Sequence, residues 1–192
     1  SADCGPGATA GSGGAAFDLT LGQSLTCTFT NTGAPQVKLR VQPASAQVAL
    51  GSVVALAIEV DTLGRPVEGV EADVRFDQAL LEIVNADGVA ADQVVVGNCR
   101  LPRLLANNAD NAHGSAYVAR AVSAAGPQPI TGVCTLAVLT FRAKGLSNGT
   151  AVGLVLPGSK AAAAGQPLRL ETTGGTVQVL SKGLTFINPP AL

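Results

Sequence analysis

The sequence predicts an all-β, two-sheet sandwich of about nine strands, a layer architecture that buries one face of each sheet against the other. Three observations predict it. Apolar and charged residues alternate strictly through Val70-Glu71-Ala72-Asp73-Val74-Arg75-Phe76, which is the period of a half-buried strand. Short apolar runs recur along the chain, separated by turn-forming residues at Asp87-Gly88, Gly126-Pro127, Ser147-Asn148-Gly149 and Pro157-Gly158. No segment carries the apolar stripe of an amphipathic helix.

Taken in order, residues 1–16 are dominated by Gly, Ala and Ser, a composition that buries too little apolar surface to order itself, and are read as loop. Phe17–Leu21 and Leu25–Thr30 read as two short strands around a Gly22-Gln23-Ser24 turn, with Asn31–Pro35 as a linker. Residues 1–35 are thus a Gly-rich hairpin extension. From Val37 the strands follow one another. Val37, Leu39 and Val41 alternate with Lys38, Arg40 and Gln42, and Val54, Leu56, Ile58 and Val60 form an apolar row opposite Val53, Ala55, Ala57 and Glu59. A turn at 62–66 precedes the 70–76 strand, which runs into Asp77-Gln78-Ala79 and a short Leu81-Glu82-Ile83 run. Further strands are expected at 93–96, 116–122, 133–143, 151–156, 168–172 and 176–180. The sandwich spans 36–181, with 182–192 as a tail. Ala161–Ala164 admits at most one helical turn, since Pro157 and Gly165 bracket it closely.

At 192 residues the chain is long enough to bury a core. Its formal net charge is only -1, with charges spread singly, so neither a nucleic-acid surface nor an anionic membrane surface is indicated. Aromatic residues make up 3%, with no Trp and one Tyr. That argues against a carbohydrate-binding module, which presents flat rings to stack on sugars. The five phenylalanines, Phe17, Phe29, Phe76, Phe141 and Phe186, are expected in the core. The absence of Met indicates a processed protein or an excised fragment, and no apolar run approaches the ~18 residues of a membrane span. No signal peptide is recognisable.

Cys4, Cys27, Cys99 and Cys134 lack the close pairs of a zinc site. An even count at wide spacing fits disulfides and an oxidising compartment, against the alternative of four free buried thiols. Three connectivities are open. Cys4–Cys27 with Cys99–Cys134 is favoured, because each pair then falls within one structural unit.

Catalytic patterns fail on context. Gly145-Leu146-Ser147-Asn148-Gly149 matches a nucleophile elbow, but the sole histidine, His113, precedes the serine and the surroundings are all β, so a hairpin loop is the better reading. His113 lies in a polar Asn107–Gly114 stretch with no partner to orient it as a base. Asn107, Asn108, Asp110 and Asn111 offer oxygens but a single carboxylate, too few charges for calcium, and read as a solvated loop. Glu71 and Asp73 share one strand face, whereas hydrolytic acid–base pairs oppose each other across a cleft. No enzyme, metal or cofactor is expected.

In Tyr117–Val122, one face carries Tyr117, Ala119 and Ala121 and the other Val118, Arg120 and Val122. An unpaired buried guanidinium is costly, so Arg120 is expected outward, exposing both valines with it as an interaction patch.

Several short motifs occur in a characteristic order: Val41-Gln42-Pro43 with Gly51-Ser52-Val53; Gly69 followed by Phe76-Asp77 and Leu81-Glu82-Ile83; Gly132 followed by Leu139-Thr140-Phe141; and the closing Gly174-Gly175-Thr176-Val177. Over about residues 37–180 this order resembles a cohesin domain, the jelly-roll module that binds dockerins in cellulosomes and related bacterial and archaeal surface assemblies. The resemblance implies jelly-roll topology and a non-catalytic, monomeric, secreted or surface-borne module of a polysaccharide-processing scaffoldin. Its partner would be a dockerin-like protein module, and any calcium would belong to that dockerin. It places partner binding on Gly69, Glu71, Asp73 and Arg75 of one strand and on Val118, Arg120, Val122 and Ser123 of another. Cys27-Thr28-Phe29-Thr30-Asn31-Thr32 resembles the closing strand of small extracellular sandwich repeats, which would make 1–35 the tail of a preceding repeat. The alternative function is a structural stalk or adhesin repeat of a surface protein.

Overall fold

The computed structural model describes residues 36–122, 128–156 and 158–182, together with the strand backbones at 2–3, 9–11, 14–16 and 28–29. The chain divides into two compact units, Ser1–Ala34 and Pro35–Leu192. In the first, β1 (Ala2–Asp3) pairs antiparallel with β4 (Thr28–Phe29), and β2 (Thr9–Gly11) with β3 (Gly14–Ala16). Parts of the stretch read as loop are therefore extended and paired, because backbone hydrogen bonding does not require large side chains. The expected Phe17–Leu21 strand, the Cys4–Cys27 bridge, Phe17, Phe186 and most of the 182–192 tail lie outside the described residues.

The second unit is built from β5 (Val37–Gln42), β6 (Ser45–Ala49), β7 (Val53–Asp61), β8 (Gly69–Phe76), β9 (Leu81–Ile83), β10 (Val95–Val96), β11 (Arg103–Asp110), β12 (Ser115–Ala121), β13 (Val133–Ala143), β14 (Ser147–Leu154), β15 (Lys160–Ala163), β16 (Gln166–Leu168), β17 (Leu170–Thr173) and β18 (Gly175–Leu180). One sheet has the order β10-β13-β7-β5-β17, with β9 also on β13; the other has β11-β12-β8-β14-β18-β6, with β15 joining β8 and β16 joining β15. This is the two-sheet sandwich the alternation predicts. Val37, Leu39 and Val41 of β5 and Leu56, Ile58 and Val60 of β7 face Val70, Ala72 and Val74 of β8 across the core, all at most 1% exposed. Phe76 and Phe141 meet edge to face at 5.0 Å between ring centroids.

The first and last strands switch sheets together. β17 runs parallel to β5 with Thr173 opposite Arg40, and β18 runs parallel to β6 with Thr176 opposite Ser45. Between these pairings the chain crosses at Pro43-Ala44, after a cis Gln42–Pro43 bond, and at Gly174. The crossing leaves no room for side chains. A Cβ on Gly174 would sit 2.7 Å from the Val152 carbonyl oxygen, and one on Gly175 2.9 Å from Val41 Cγ1. The Gly-Gly-Thr-Val close and Pro43 are thus two halves of one crossing.

Three local expectations change. Ala161–Ala164 is not a helical turn: Ala164 and Gly165 take φ of 47° and 71° and close a hairpin between β15 and β16, the paired positive φ of a tight two-residue turn. Gly145–Gly149 is not a hairpin loop: Lys144–Leu146 connects β13 to β14, which belong to different sheets, and Ser147–Gly149 opens β14. The Asn-rich stretch is not a solvated loop. It forms β11 and a turn, and its amides replace missing strand partners. Asn111 accepts from Ile83 N at 2.7 Å and donates through Nδ2 to the Ile83 and Ala91 carbonyls at 2.9 and 3.1 Å. Asn107 exchanges two bonds of 2.9 Å with the backbone of Val94.

Cys99 and Cys134 are bridged, with Cα atoms 5.0 Å apart, and tie the 97–102 loop to the start of β13. Replacing both by Ser is expected to lower unfolding free energy by about 2–4 kcal/mol, read from urea unfolding of the oxidised parent against the double variant. Asn111→Ala leaves the Ile83 amide and the Ala91 carbonyl without their Asn111 partner at the sandwich rim, each costing about 1–3 kcal/mol when buried, while the Ile83 carbonyl keeps its bond from Ala91 N. It should therefore destabilise by about 2–4 kcal/mol in the same assay, far more than a substitution in a solvated loop.

Candidate functional site

Strand β8 presents Glu71, Asp73 and Arg75 on the side opposite its buried row, so these residues lie on the outer face of the β11-β12-β8-β14 sheet. Opposed residues of an antiparallel pair share a face. On β12, Ala121, Ala119, Tyr117 and Ser115 stand opposite Gly69, Glu71, Asp73 and Arg75, and therefore belong to the outer face as well. On the other side of β8, Lys160 and Ala162 oppose Glu71 and Gly69, and Gly153 opposes Arg75. Ala106 of β11 continues the row beyond Ala119.

Small residues lie along the face, Ala119 among them only 3% exposed, and a polar line runs across it. Tyr117 donates its hydroxyl to Glu71 Oε2 at 2.8 Å, and Lys160 Nζ lies 3.6 Å from the same oxygen. Arg75 Nη2 lies 3.3 Å from Asp73 Oδ2. Asp73 is held further by its backbone, whose amide donates to Ser159 Oγ at 3.0 Å. A register shift between Leu104 and Ala106 makes Leu105 a bulge residue, half exposed at the edge of the face. Leu105, Gly69, Glu71, Lys160 and Ala162 surround a shallow depression of about 210 Å³.

The expected second strand of the patch turns the other way. Val118 and Arg120 oppose Ala72 and Val70 and are only 1% and 8% exposed; Val122 packs partly buried against the core. Val118 and Val122 therefore do not join Gly69, Glu71, Asp73 and Arg75 on one surface; Arg120, though largely buried, borders the same depression as Gly69 and Glu71, and Ser123 lies outside the described residues. Burial of Val118 against the opposite sheet outweighs the penalty for Arg120, whose long aliphatic stem carries the guanidinium to the rim. There Nη1 donates to the Gly97 carbonyl at 3.0 Å. The residues in their place are Tyr117, Ala119 and Ala121, the other half of the same alternation. Leu105 has no sequence signal, because a bulge is a property of the pairing.

The remaining candidates are structural. Asp110 caps the β11–β12 turn by accepting from the Ala112 and His113 amides, and its carboxylate lies 2.6 Å from His113 Nδ1; this contact holds the Asp110 carboxyl below its usual range. Among the described residues no group of acidic, histidine or cysteine side chains converges as a metal site would.

Solved structures share this architecture. The chain superposes on the cohesin CaCohA2 of Clostridium acetobutylicum with a TM-score of 0.60 at 16% identity, covering 76% of this chain and 91% of that one. It superposes on the third ScaC cohesin of Acetivibrio cellulolyticus, solved in complex with the ScaB dockerin, with a TM-score of 0.61 at 11% identity over 75% and 99%. A non-cellulosomal cohesin of the archaeon Archaeoglobus fulgidus gives 0.58 at 19% identity over 76% and 92%. No family model matches the sequence, and no curated protein matches it. The second unit has the cohesin fold.

Tyr117 supplies an internal probe of the face. Burial first, then the bond to Glu71 and the charges of Glu71 and Asp73, push its phenol up to about 12. It is the only tyrosine, so phenolate absorbance of the native protein should titrate near that value, and Glu71→Gln should bring it down. The neutral phenol is the favoured form, so its contribution to stability is complete below the unfolded-state pKa of about 10 and is lost as pH rises towards 12.

Proposed function

We propose that this protein is a non-catalytic interaction module that binds a dockerin-type protein domain through the outer face of β8, β12, β14 and β15, in an extracellular or cell-surface assembly. The observation that carries the reading is a pair of strand glycines that the fold does not need. A Cβ on Gly69 would come no nearer than 3.7 Å to any neighbour and one on Gly153 no nearer than 4.0 Å, and neither has a positive φ. Gly within a strand lowers stability and supplies no packing, and a strand glycine of this kind marks close approach by another backbone. With the partly exposed Ala106, Ala121 and Ala162 they make a shelf of small residues on which a helix can lie close to the sheet, around Ala119, which is itself only 3% exposed. The Glu71–Lys160 and Asp73–Arg75 pairs at its margin would set register and orientation more than affinity.

Two further observations support the reading. The fold is shared with cohesins, one of which is solved with a dockerin bound. The Cys99–Cys134 bridge suits an oxidising, extracellular setting. A sugar-binding role finds little support on this face, where Tyr117 is the one aromatic residue and its hydroxyl is engaged by Glu71. Catalysis finds none, since no nucleophile, base and orienting group converge there.

Titration against a panel of recombinant type I and type II dockerins tests the proposal. Gly153→Val is expected to leave the isolated module as stable or to raise its stability by about 0.5–1 kcal/mol, while weakening capture at least about tenfold. Ala121→Arg should abolish capture, and Ala55→Arg, on the exposed side of the other sheet, should leave it unchanged. Silence of the whole panel would remove the partner class. Capture indifferent to both face substitutions would remove the face.

A further inference from the structure

Ser147-Asn148-Gly149 opens β14 on an irregularity of the ladder. Ser147 stands opposite Val179 and Thr150 opposite Val177, so Asn148 and Gly149 together face one residue of β18, Gln178. Two residues against one is a β-bulge, and the surplus residues carry no partner in the register. β14 meets β8 only from Val152, opposite Phe76, to Leu154, opposite Val74. The bulge therefore lies past the Phe76 end of β8, and Gly69 is at its other end.

Asn148 and Gly149 are both exposed. Gly149 has φ of 152°, and a Cβ built on it would meet nothing within 4 Å. Its amide donates to Ser147 Oγ at 3.1 Å. Asn148 is the one asparagine of the chain that precedes a glycine. The other asparagines of the sandwich differ on both counts. Asn85, Asn98, Asn107 and Asn111 hold backbone amides through Oδ1, and each is followed by a residue with a Cβ. Asn108 stands in the ladder opposite Tyr117 and is followed by Ala109.

We propose that Asn148 is a site of spontaneous covalent modification, converting to isoaspartate and aspartate through a cyclic imide formed with Gly149. The Gly149 nitrogen gives up its proton and attacks Asn148 Cγ; a new C–N bond closes the ring, and the side-chain nitrogen leaves as ammonia. Water then opens the ring at either carbonyl. Attack at Cγ breaks the new bond and gives aspartate. Attack at the Asn148 main-chain carbonyl breaks the original peptide bond instead, leaves Gly149 joined through Cγ, and gives isoaspartate. The balance is one amide and one water to one carboxylate and one ammonium, with no change of oxidation state. A following residue with a side chain shields the attacking nitrogen and restricts the rotation that brings it onto Cγ, and Gly149 does neither.

The bulge also decides what the product does to the fold. Isoaspartate lengthens the main chain by one carbon, which in a paired stretch would shift the register and turn every later side chain to the other face. Here the extra length falls between Ser147 and Thr150, where surplus backbone is already outside the register, and Thr150 stays buried opposite Val177. The site does not depend on the outer face binding a partner.

The oxidised protein, incubated at mildly alkaline pH in heavy-oxygen water and then digested, tests the proposal by peptide mapping. The peptide containing Asn148 should be the first to lose an amide, as two products of equal mass that each carry one solvent oxygen. Asn148→Gln should remove this early conversion, and Asn108→Gln should leave it unchanged. The converted protein should focus at lower pH, by one added negative charge, with the urea unfolding midpoint of the parent. Amide loss that begins at another asparagine, or a single product at position 148, would overturn the cyclic-imide site. A lowered midpoint on conversion would overturn the tolerance assigned to the bulge.

Discussion

The sidedness of β8 is the constraint on which the rest of the sandwich depends. Val70, Ala72, Val74 and Phe76 enter the core, and Phe76 meets Phe141 from the other sheet. A period of two then leaves Glu71, Asp73 and Arg75 no place but the outer surface. Opposed residues share a face, so β8 passes this division to each strand that pairs with it. It turns Val118 in and Tyr117 out on β12, Ala161 in and Lys160 out on β15, and Val152 in and Gly153 out on β14. A one-residue slip anywhere in this set would reverse every one of these assignments and expose the valines.

Where the sheets run out of strands, side chains take over backbone pairing. Asn107 and Asn111 serve the 83–94 stretch, Asn98 serves β13, and Asp110 caps the turn that brings β12 back beside β11. This explains why a polar segment in the middle of the chain is ordered and partly buried. It also ties two regions together: the wall formed by the 97–102 loop supplies the carbonyl that Arg120 reaches, so the rim bonds and the placement of an inward arginine are one arrangement.

A likeness of fold at 11–19% identity is a likeness of core pattern and of strand crossing, since these are what the two-sheet geometry demands. The side chains of the outer face lie away from the core row, so core packing leaves them free to differ from one protein of this fold to another. In this chain the face carries glycine and alanine with Leu105 lifted at its edge by a bulge, and a tyrosine tied to a glutamate. Partner choice on such a face rests on shape and on a few oriented charges, because exposed ion pairs add little affinity of their own.

The sequence by itself determined the fold class, most strand positions, the sidedness of β5, β7 and β8, and the Cys99–Cys134 pairing as the favoured one of three. Each of these rests on local periodicity, on turn residues or on chain separation, and all are properties of neighbours in sequence. Glu71 and Asp73 were legible as sharing an outward face for the same reason, and Gly69 and Arg75 joined them through the resemblance to cohesins. Tertiary structure alone decided the direction of Arg120. Alternation divides β12 into two rows but does not say which is inside, and the penalty for burying a guanidinium pointed to the wrong one. The core needed Val118, and the arginine could still reach a carbonyl at the rim. Leu105, the Asn111 clamp and the hairpin at Ala164-Gly165 were hidden likewise, because a bulge, an amide bridging distant segments and a turn between short strands exist only once the partners are in place.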